Sequence, residues 1–152
     1  MGELFGSIYC WLEEFFGLEL ADYLWGGLSP LQAGNMFIGI GLSMIIISML
    51  LVVIYYYVLN HPRLNNWWGW TIFMVVNAIV NFIIGWQWVL RDYYEEKMVK
   101  KSAVTGKLVD LNITESDILA FGVTNMIDAI IAFIIISYII KWWSSNCSRA
   151  PF

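Results

Sequence analysis

Long apolar runs separated by short polar segments dominate the pattern of this chain. The three longest runs contain no lysine or arginine and hold a single acidic residue, Asp128; they cover residues 31–59, 67–90 and 118–140. The hydrocarbon core of a bilayer is about 30 Å thick, and a helix that rises about 1.5 Å per residue crosses it with roughly 20 apolar residues. A water-soluble helix of this length needs a polar face, which these runs lack. The pattern therefore predicts an all-α integral membrane protein with three transmembrane helices.

Helix-capping signals mark the ends of the predicted transmembrane helices. The sequence Ser29-Pro30-Leu31-Gln32 joins a capping serine to a proline at the first helical position, and Pro62 is expected to close the same helix. Residues 114–117 predict a capping box at the start of the third helix. Tryptophan and tyrosine are frequent near the run ends, as is typical at the level of lipid headgroups. We therefore predict transmembrane helices at 29–60, 67–90 and 118–141, a short turn at 61–66 and a tail at 142–152.

Residues 1–28 form an acidic, amphipathic segment. Apolar side chains recur at helical spacing from Leu4 onwards, whereas Glu13 and Glu14 lie off that stripe. Gly17 is expected to break the helix. The segment is too charged to span a bilayer, so we predict a helix at the membrane interface; because it is acidic, we expect it to pack against protein, either its own chain or a partner. The first 25 residues contain no lysine or arginine, and we therefore expect no cleaved secretory signal.

The polar segment 91–117 separates the second and third predicted transmembrane helices. Its first part, 91–101, can continue the second helix into water, and Gly106 marks a turn between two short apolar runs. We expect the segment to form a hairpin-like loop that is too small to be a catalytic domain.

Two features of the charge pattern favour opposite orientations. Five lysines and arginines lie in the 91–117 loop, against three on the other side of the predicted helices: Arg63, Lys141 and Arg149. The positive-inside rule then places the N-terminus and the 91–117 loop in the cytoplasm, and we expect a bacterial inner membrane. Acidic residues before the first and third helices favour the reverse orientation, but acidic residues count for little in this rule.

Composition agrees with a membrane protein and excludes several other classes. Apolar residues form 60% of the chain and charged residues 13%, against about 25% charged residues in soluble domains. The net charge of −4 offers no basic surface to nucleic acid. Cys10 and Cys147 have no metal-binding spacing and are interpreted as two unrelated thiols, with a disulfide or a lipidated thiol as the alternatives. A single histidine, His61, makes neither a metal site nor a triad, so we expect no metal, cofactor or catalytic residue.

Four polar residues fall near the middle of the predicted second and third helices: Asn77, Asn81, Asn125 and Asp128. If these helices are antiparallel neighbours, the four side chains lie at similar depth and can form one hydrogen-bonded cluster. Burying an acidic residue at a helix centre costs about 2.5–3.5 kcal/mol on insertion scales, so Asp128 is expected to face protein or water.

Two interpretations of this cluster remain open. In the first, the asparagines clasp the helices together and hold Asp128 in its neutral form. In the second, Asp128 lines an ion or proton path. Such a path normally includes a second titratable group, and the predicted helices contain none, so the clasp is favoured. Several copies of Asp128 around an oligomer axis would supply the missing group.

Small residues on the first and third predicted helices favour close packing of helices. Glycine or serine recurs every seven residues on the first helix, and small residues lie close to one face of the third. The predicted packing residues are Gly34, Gly39, Gly41, Ser43, Ser48, Gly122, Ala129 and Ala132. Such stripes let helix backbones approach, either within one chain or between chains.

The layout of an interfacial helix followed by three transmembrane helices resembles the small trimeric bacterial diacylglycerol kinases. Those enzymes carry glutamates and asparagine in set motifs at the membrane surface, whereas the third helix here reads Asn125-Met-Ile-Asp128-Ala. The resemblance is one of architecture, and it carries no catalytic residue over to this chain.

Three functions remain, in order of preference. A chain that is nearly all membrane favours a non-enzymatic subunit of a larger membrane assembly, surrounded by the lipid bilayer and forming a homo-oligomer or a complex with other membrane proteins. The alternative is a small oligomeric ion channel or proton-conducting component that uses Asp128. A lipid-modifying enzyme comes third.

Overall fold

The computed structural model describes residues 2–31, 34–58, 66–102 and 106–142, which are mostly helical. The N-terminal segment contains three short helices, α1 (Gly2–Cys10), α2 (Glu13–Phe16) and α3 (Leu18–Trp25). The long helices are α4 (Met36–Val53, continued by the π-helical turn Ile54–Val58), α5 (Trp67–Tyr94) and α6 (Glu115–Lys141). Between α5 and α6 lie the strands β1 (Val99–Lys101) and β2 (Leu108–Asp110). All three long helices are long and apolar enough to cross a membrane, which confirms the coarse prediction of a membrane-embedded helical protein.

The first long helix begins later than the sequence predicts. Asn35 caps α4, because its side-chain Oδ1 accepts a hydrogen bond from the amide of Phe37 at 2.9 Å. The predicted capping residue, Ser29, accepts a hydrogen bond from the amide of Leu31 at 3.3 Å, but only a turn follows it at residues 30–31. Its hydroxyl donates to the backbone carbonyl of Lys97 at 2.8 Å. The prediction of a helix start at 29–31 is therefore wrong: Ser29 ties the N-terminal segment to the loop after α5.

The second and third long helices lie where they are predicted but are longer. α5 begins at Trp67 as predicted and extends four residues beyond its predicted end, to Tyr94. α6 begins three residues earlier than predicted, at Glu115. The predicted capping box is confirmed, since the side chains of Thr114 and Asp117 each accept a hydrogen bond from the other residue's backbone amide.

The loop between α5 and α6 is a hairpin, as predicted. β1 and β2 pair antiparallel, with Val99 opposite Asp110. The helical continuation predicted over 91–101 is wrong beyond Tyr94, because the chain turns there and enters β1.

Glu19 of α3 fastens this hairpin to the N-terminal segment. Its carboxylate pairs with Lys100 Nζ at 3.2 Å and accepts a hydrogen bond from the amide of Asn112 at 2.9 Å. Together with the Ser29–Lys97 hydrogen bond, these contacts place α3 and the hairpin at the same end of the helix bundle.

The N-terminal segment packs into the bundle of its own chain. The ring of Phe16 meets the ring of Phe121 on α6 edge-on, with centroids 5.3 Å apart, and the ring of Tyr9 lies 5.6 Å from the same residue. Nearer the start of α1, the ring of Phe5 packs on Gly41 of α4. The segment therefore runs beside the first half of α6, from its start toward its middle. The expected packing against protein is confirmed for the chain itself.

A glycine separates α2 from α3, as predicted. Gly17 has a φ angle of +95°, a backbone conformation that residues with a side chain rarely adopt. A second interruption at Trp11 and Leu12 divides the remaining part into α1 and α2.

Several sequence predictions concern residues outside the described ranges. These are Gln32 of the first capping signal, His61 and Pro62 with the turn up to residue 65, Cys147, Arg149 and residues 143–152 of the tail. Cys10, in contrast, lies on α1 as a free, half-buried thiol.

Replacing Gly41 by leucine is expected to displace α1. A Cβ atom at this position would overlap ring carbons of Phe5, so the two helices must move apart. Overpacking of this kind costs about 1–3 kcal/mol, and we expect the free energy of unfolding in detergent to fall by that amount. The exposed neighbour Leu42 serves as the control, since Leu42→Val leaves the Phe5 contact intact.

The double variant Gly41→Leu with Phe5→Ala makes this test specific. Removing the Phe5 ring opens space for the new leucine side chain. Gly41→Leu is therefore expected to lower the free energy of unfolding less in the Phe5→Ala protein than in the wild type. Strictly additive losses, or a Gly41→Leu protein as stable as the wild type, would contradict the docking of α1 on α4.

Candidate functional site

Three buried asparagines join α5 and α6 in the middle of the bundle. Asn125 Nδ2 on α6 donates to the backbone carbonyl of Asn81 on α5 at 2.7 Å. Asn77 Nδ2 on α5 donates to the carbonyl of Ala129 on α6 at 2.9 Å. Asn81 Nδ2 donates to the carbonyl of Asn77 at 2.9 Å and to its Oδ1 at 3.1 Å. The structure thus brings Asn77, Asn81 and Asn125 into one hydrogen-bonded group, here called the asparagine clasp.

Two side chains from other helices extend the asparagine clasp. Ser48 on α4 donates its hydroxyl to Asn77 Oδ1 at 3.1 Å, and Tyr9 on α1 donates its hydroxyl to Asn125 Oδ1 at 2.6 Å. The sequence predicts Ser48 only as a small packing residue and assigns no role to Tyr9. The available signal was a tyrosine on the apolar stripe of the N-terminal segment, since a buried tyrosine needs a partner for its hydroxyl.

The hydroxyl of Tyr9 is a permanent donor. Burial raises its pKa well above the ordinary value of about 10, and the nearby carboxyl of Asp128 raises it further. The Tyr9 hydroxyl therefore keeps its proton near neutrality and can donate to Asn125.

The asparagine clasp satisfies polar groups where no water can do so. Hydrogen bonds between helices within a membrane contribute about 0.6–2 kcal/mol each. Bonds from α1, α4 and α6 all meet the asparagines, so the clasp fixes four helices relative to one another. Among the described residues, one clasp acceptor, Asn81 Oδ1, is buried without a hydrogen-bond partner.

Asp128 lies beside the asparagine clasp but outside its hydrogen bonds. It is the middle residue of α6, thirteen positions from each end, and its relative exposure is 4%. Its Oδ2 atom is buried and has no hydrogen-bond partner in the part of the chain that the structure describes. The structure therefore does not bring Asp128 into the hydrogen-bonded cluster predicted for it, because Asn125 uses its side chain on Tyr9 and Asn81.

Asp128 lines an apolar groove between α1, α4 and α6. This Asp128 groove has a volume of about 790 Å³. Its apolar walls are formed by side chains of all three helices, including Phe5, Ile8, Met44, Ile45, Ile131 and Ile135. A carboxyl group that is nearly fully buried thus borders a cavity large enough to hold part of another molecule.

A second acidic residue, Glu3, lines the same groove. The sequence offers no acidic partner for Asp128 within the predicted transmembrane helices, and it places Glu3 at the membrane interface. The packing of α1 beside α4 and α6 brings Glu3 to the groove. The sequence does not show that both residues line one groove, because Glu3 and Asp128 are far apart along the chain and meet it only through tertiary contacts.

Several of the predicted packing glycines lie where another side chain approaches closely. A Cβ atom would overlap the ring of Phe5 at Gly41, would lie 3.3 Å from the ring of Trp88 at Gly39, and would lie 3.0 Å from Trp86 Cβ at Gly122. Gly85, which the sequence analysis does not single out, similarly leaves room for the amide of Asn125.

The remaining predicted packing residues have varied surroundings. Ser43 donates its hydroxyl to the carbonyl of Ile40 in its own helix at 2.7 Å. Ala129 is buried at the clasp, and Ala132 lines the Asp128 groove. Gly34 precedes α4 and has a φ angle of +114°, so its prediction as a packing residue of the first long helix is wrong: it permits a turn.

Comparison with known proteins adds no relative. No protein-family model, no curated protein and no solved structure matches the chain.

Removing the hydrogen bond between Tyr9 and Asn125 is expected to destabilise the bundle in a coupled way. Tyr9→Phe and Asn125→Leu each leave a buried polar atom without this partner, at a cost of about 1–3 kcal/mol. We expect a double-mutant cycle, measured by reversible unfolding in bicelles, to give a coupling energy of about 0.6–1.7 kcal/mol.

Ser43→Ala provides the matched control for this cycle. The Ser43 hydroxyl bonds within its own helix. The stability lost in Ser43→Ala should therefore add to the stability lost in Asn125→Leu, without coupling. Equal coupling in both cycles, or none between Tyr9 and Asn125, would contradict the extension of the clasp to α1.

Proposed function

We propose that this chain is a non-enzymatic membrane subunit that packs with other subunits in a larger membrane assembly. The observation that carries the proposal is that Asp128 lines an open apolar groove while its buried Oδ2 atom has no hydrogen-bond partner among the described residues. A polar group in hydrocarbon is stable when it is bonded, and the asparagines beside it are bonded extensively. The Asp128 groove therefore has the character of an interface that another chain completes.

The groove also meets the physical requirements for helix association in lipid. Lipid tails are as apolar as leucine, so apolar surface alone does not draw helices together in a bilayer. Close shape complementarity and hydrogen bonds across the contact supply the attraction instead. The Asp128 groove offers a concave apolar surface and a carboxyl acceptor at mid-length of α6.

The proposed location is a bacterial inner membrane, with the N-terminus and the 91–117 loop in the cytoplasm. The excess of lysine and arginine in that loop supports this orientation. The hydrogen bonds that Glu19 and Ser29 make to the loop put the N-terminal segment and the hairpin at one end of the bundle, whichever side of the membrane that end faces.

A second candidate function is ion or proton conduction through an oligomer. The observation that favours it is the presence of Glu3 and Asp128 on one groove, which gives Asp128 the second acidic group that the sequence lacks within its apolar helices. Intramembrane acidic residues commonly mark such paths.

Site-specific photo-crosslinking in the native host tests the subunit proposal. A benzoylphenylalanine at Ile135, which is 54% exposed in the groove, is expected to give one discrete protein adduct. The matched control is Ile79 on α5, which is 51% exposed but does not line the groove, and it should give no discrete adduct. Absence of an adduct from Ile135, together with a monomer in mild detergent, would count against the proposal.

Flux measurements in reconstituted vesicles separate the second function from the first. If the chain conducts, protein-containing vesicles must dissipate a proton gradient, and Asp128→Asn must return the rate to that of protein-free vesicles. We expect no flux above the protein-free rate for the wild type. A flux that Asp128→Asn abolishes and Glu14→Gln leaves unchanged would favour conduction instead.

A further inference from the structure

The polar groups that line the Asp128 groove are unbalanced in charge. Glu3 and Asp128 both line it, and no lysine, arginine or histidine among the described residues does so. The rest of the lining is apolar apart from the indole N–H of Trp11 and the hydroxyl of Ser7, which is already donated to the carbonyl of Glu3 at 2.7 Å. An occupant that fits this surface has an apolar body and a positively charged donor.

The depth of Asp128 decides what kind of occupant can bring that donor. Asp128 is thirteen residues from each end of α6, which corresponds to about 20 Å of helix on either side. The hydrocarbon core extends only about 15 Å from its middle, so the amine of a lipid headgroup lies too far from the carboxyl. A helix that spans the bilayer can present a side chain at that depth.

A second copy of this chain does not supply such a side chain. In the described transmembrane helices, the basic residues are Arg91 and Lys141, each in the last turn of its helix. Lys141 is thirteen residues from the level of Asp128, farther than a lysine side chain extends. A second copy would instead bring another carboxyl group to the same depth.

We infer that the Asp128 groove binds a membrane-spanning helix of a different protein that carries one lysine or arginine near its middle. This inference depends on the proposed function and names the chemistry of the partner. The apolar face of that helix packs between α1, α4 and α6, and its basic group bonds Asp128 in a groove that Glu3 also lines. An ion pair between helices in hydrocarbon is satisfied on both sides, whereas either charge alone is costly.

Binding of synthetic membrane-spanning peptides to the full chain in phosphatidylcholine vesicles tests whether the groove selects a helix with a central basic residue. One peptide is a leucine-alanine helix with a central lysine, and its partner has leucine at that position. Energy transfer from labelled protein to labelled peptide reports binding. We expect the lysine peptide to bind about tenfold tighter than the leucine peptide, the factor that corresponds to one ion pair of about 1.4 kcal/mol.

Variants of the groove separate charge recognition from folding. Asp128→Asn is expected to reduce the preference for the lysine peptide to within about twofold. Glu3→Gln, at an exposed position, should reduce the preference partly, and it keeps the test valid if Asp128→Asn does not fold. Glu14→Gln changes an exposed acidic residue outside the groove and should leave the preference intact.

Several outcomes would overturn the inference. Equal binding of both peptides, or a preference that survives both groove substitutions, would mean that charge does not select the occupant. Energy transfer between two labelled copies of this chain that Asp128→Asn abolishes would identify the occupant as a second copy. Displacement of the lysine peptide by dodecylamine at equal concentration would identify it as a lipid-like amine. If the crosslink from Ile135 persists in any of these cases, the subunit proposal stands while this inference fails.

Discussion

The structure depends on the requirement that polar groups inside hydrocarbon be bonded within the protein. Each asparagine amide that the long helices carry at mid-depth would be costly if it faced lipid, and together these amides bind α5 to α6. Ser48 and Tyr9 then complete acceptors of the clasp, so the same requirement draws α4 and α1 into the bundle. The hydrophobic effect inserts the helices, but it does not choose which faces meet, because lipid and leucine are equally apolar.

The same requirement explains why the Asp128 groove stands out. α1 packs along α6 far enough for Tyr9 to reach Asn125, and this position leaves a gap beside Phe5 that α4 and α6 do not close. Asp128 lies on that gap and takes no part in the clasp. The asparagines bond one another and their neighbours, apart from Asn81 Oδ1, whereas the Oδ2 atom of Asp128 has no partner among the described residues. This contrast is the basis for the proposal that the last contact of Asp128 belongs to another protein.

The sequence predicted the long helices well, because length and apolar composition are local properties that the bilayer selects directly. It also predicted one cluster of Asn77, Asn81, Asn125 and Asp128 from the depths of antiparallel helices, and of these the three asparagines meet while Asp128 stays outside their hydrogen bonds. It did not predict the start of α4, because Ser29 accepts a capping-type hydrogen bond from Leu31 without starting a long helix, and Asn35 is the residue that caps α4. The roles of Tyr9 and Glu3 depend on the packing of α1 beside α6, which no local sequence pattern indicates.

We propose that another polypeptide, and not lipid, covers Asp128 in the assembled protein. A cryo-EM map of the chain isolated from its native membrane in mild detergent would test this claim most directly. We expect helical density of a different chain between α1, α4 and α6, with a basic side chain within hydrogen-bonding distance of Asp128. A groove filled with lipid or detergent density alone, in a particle that contains no other protein, would contradict it.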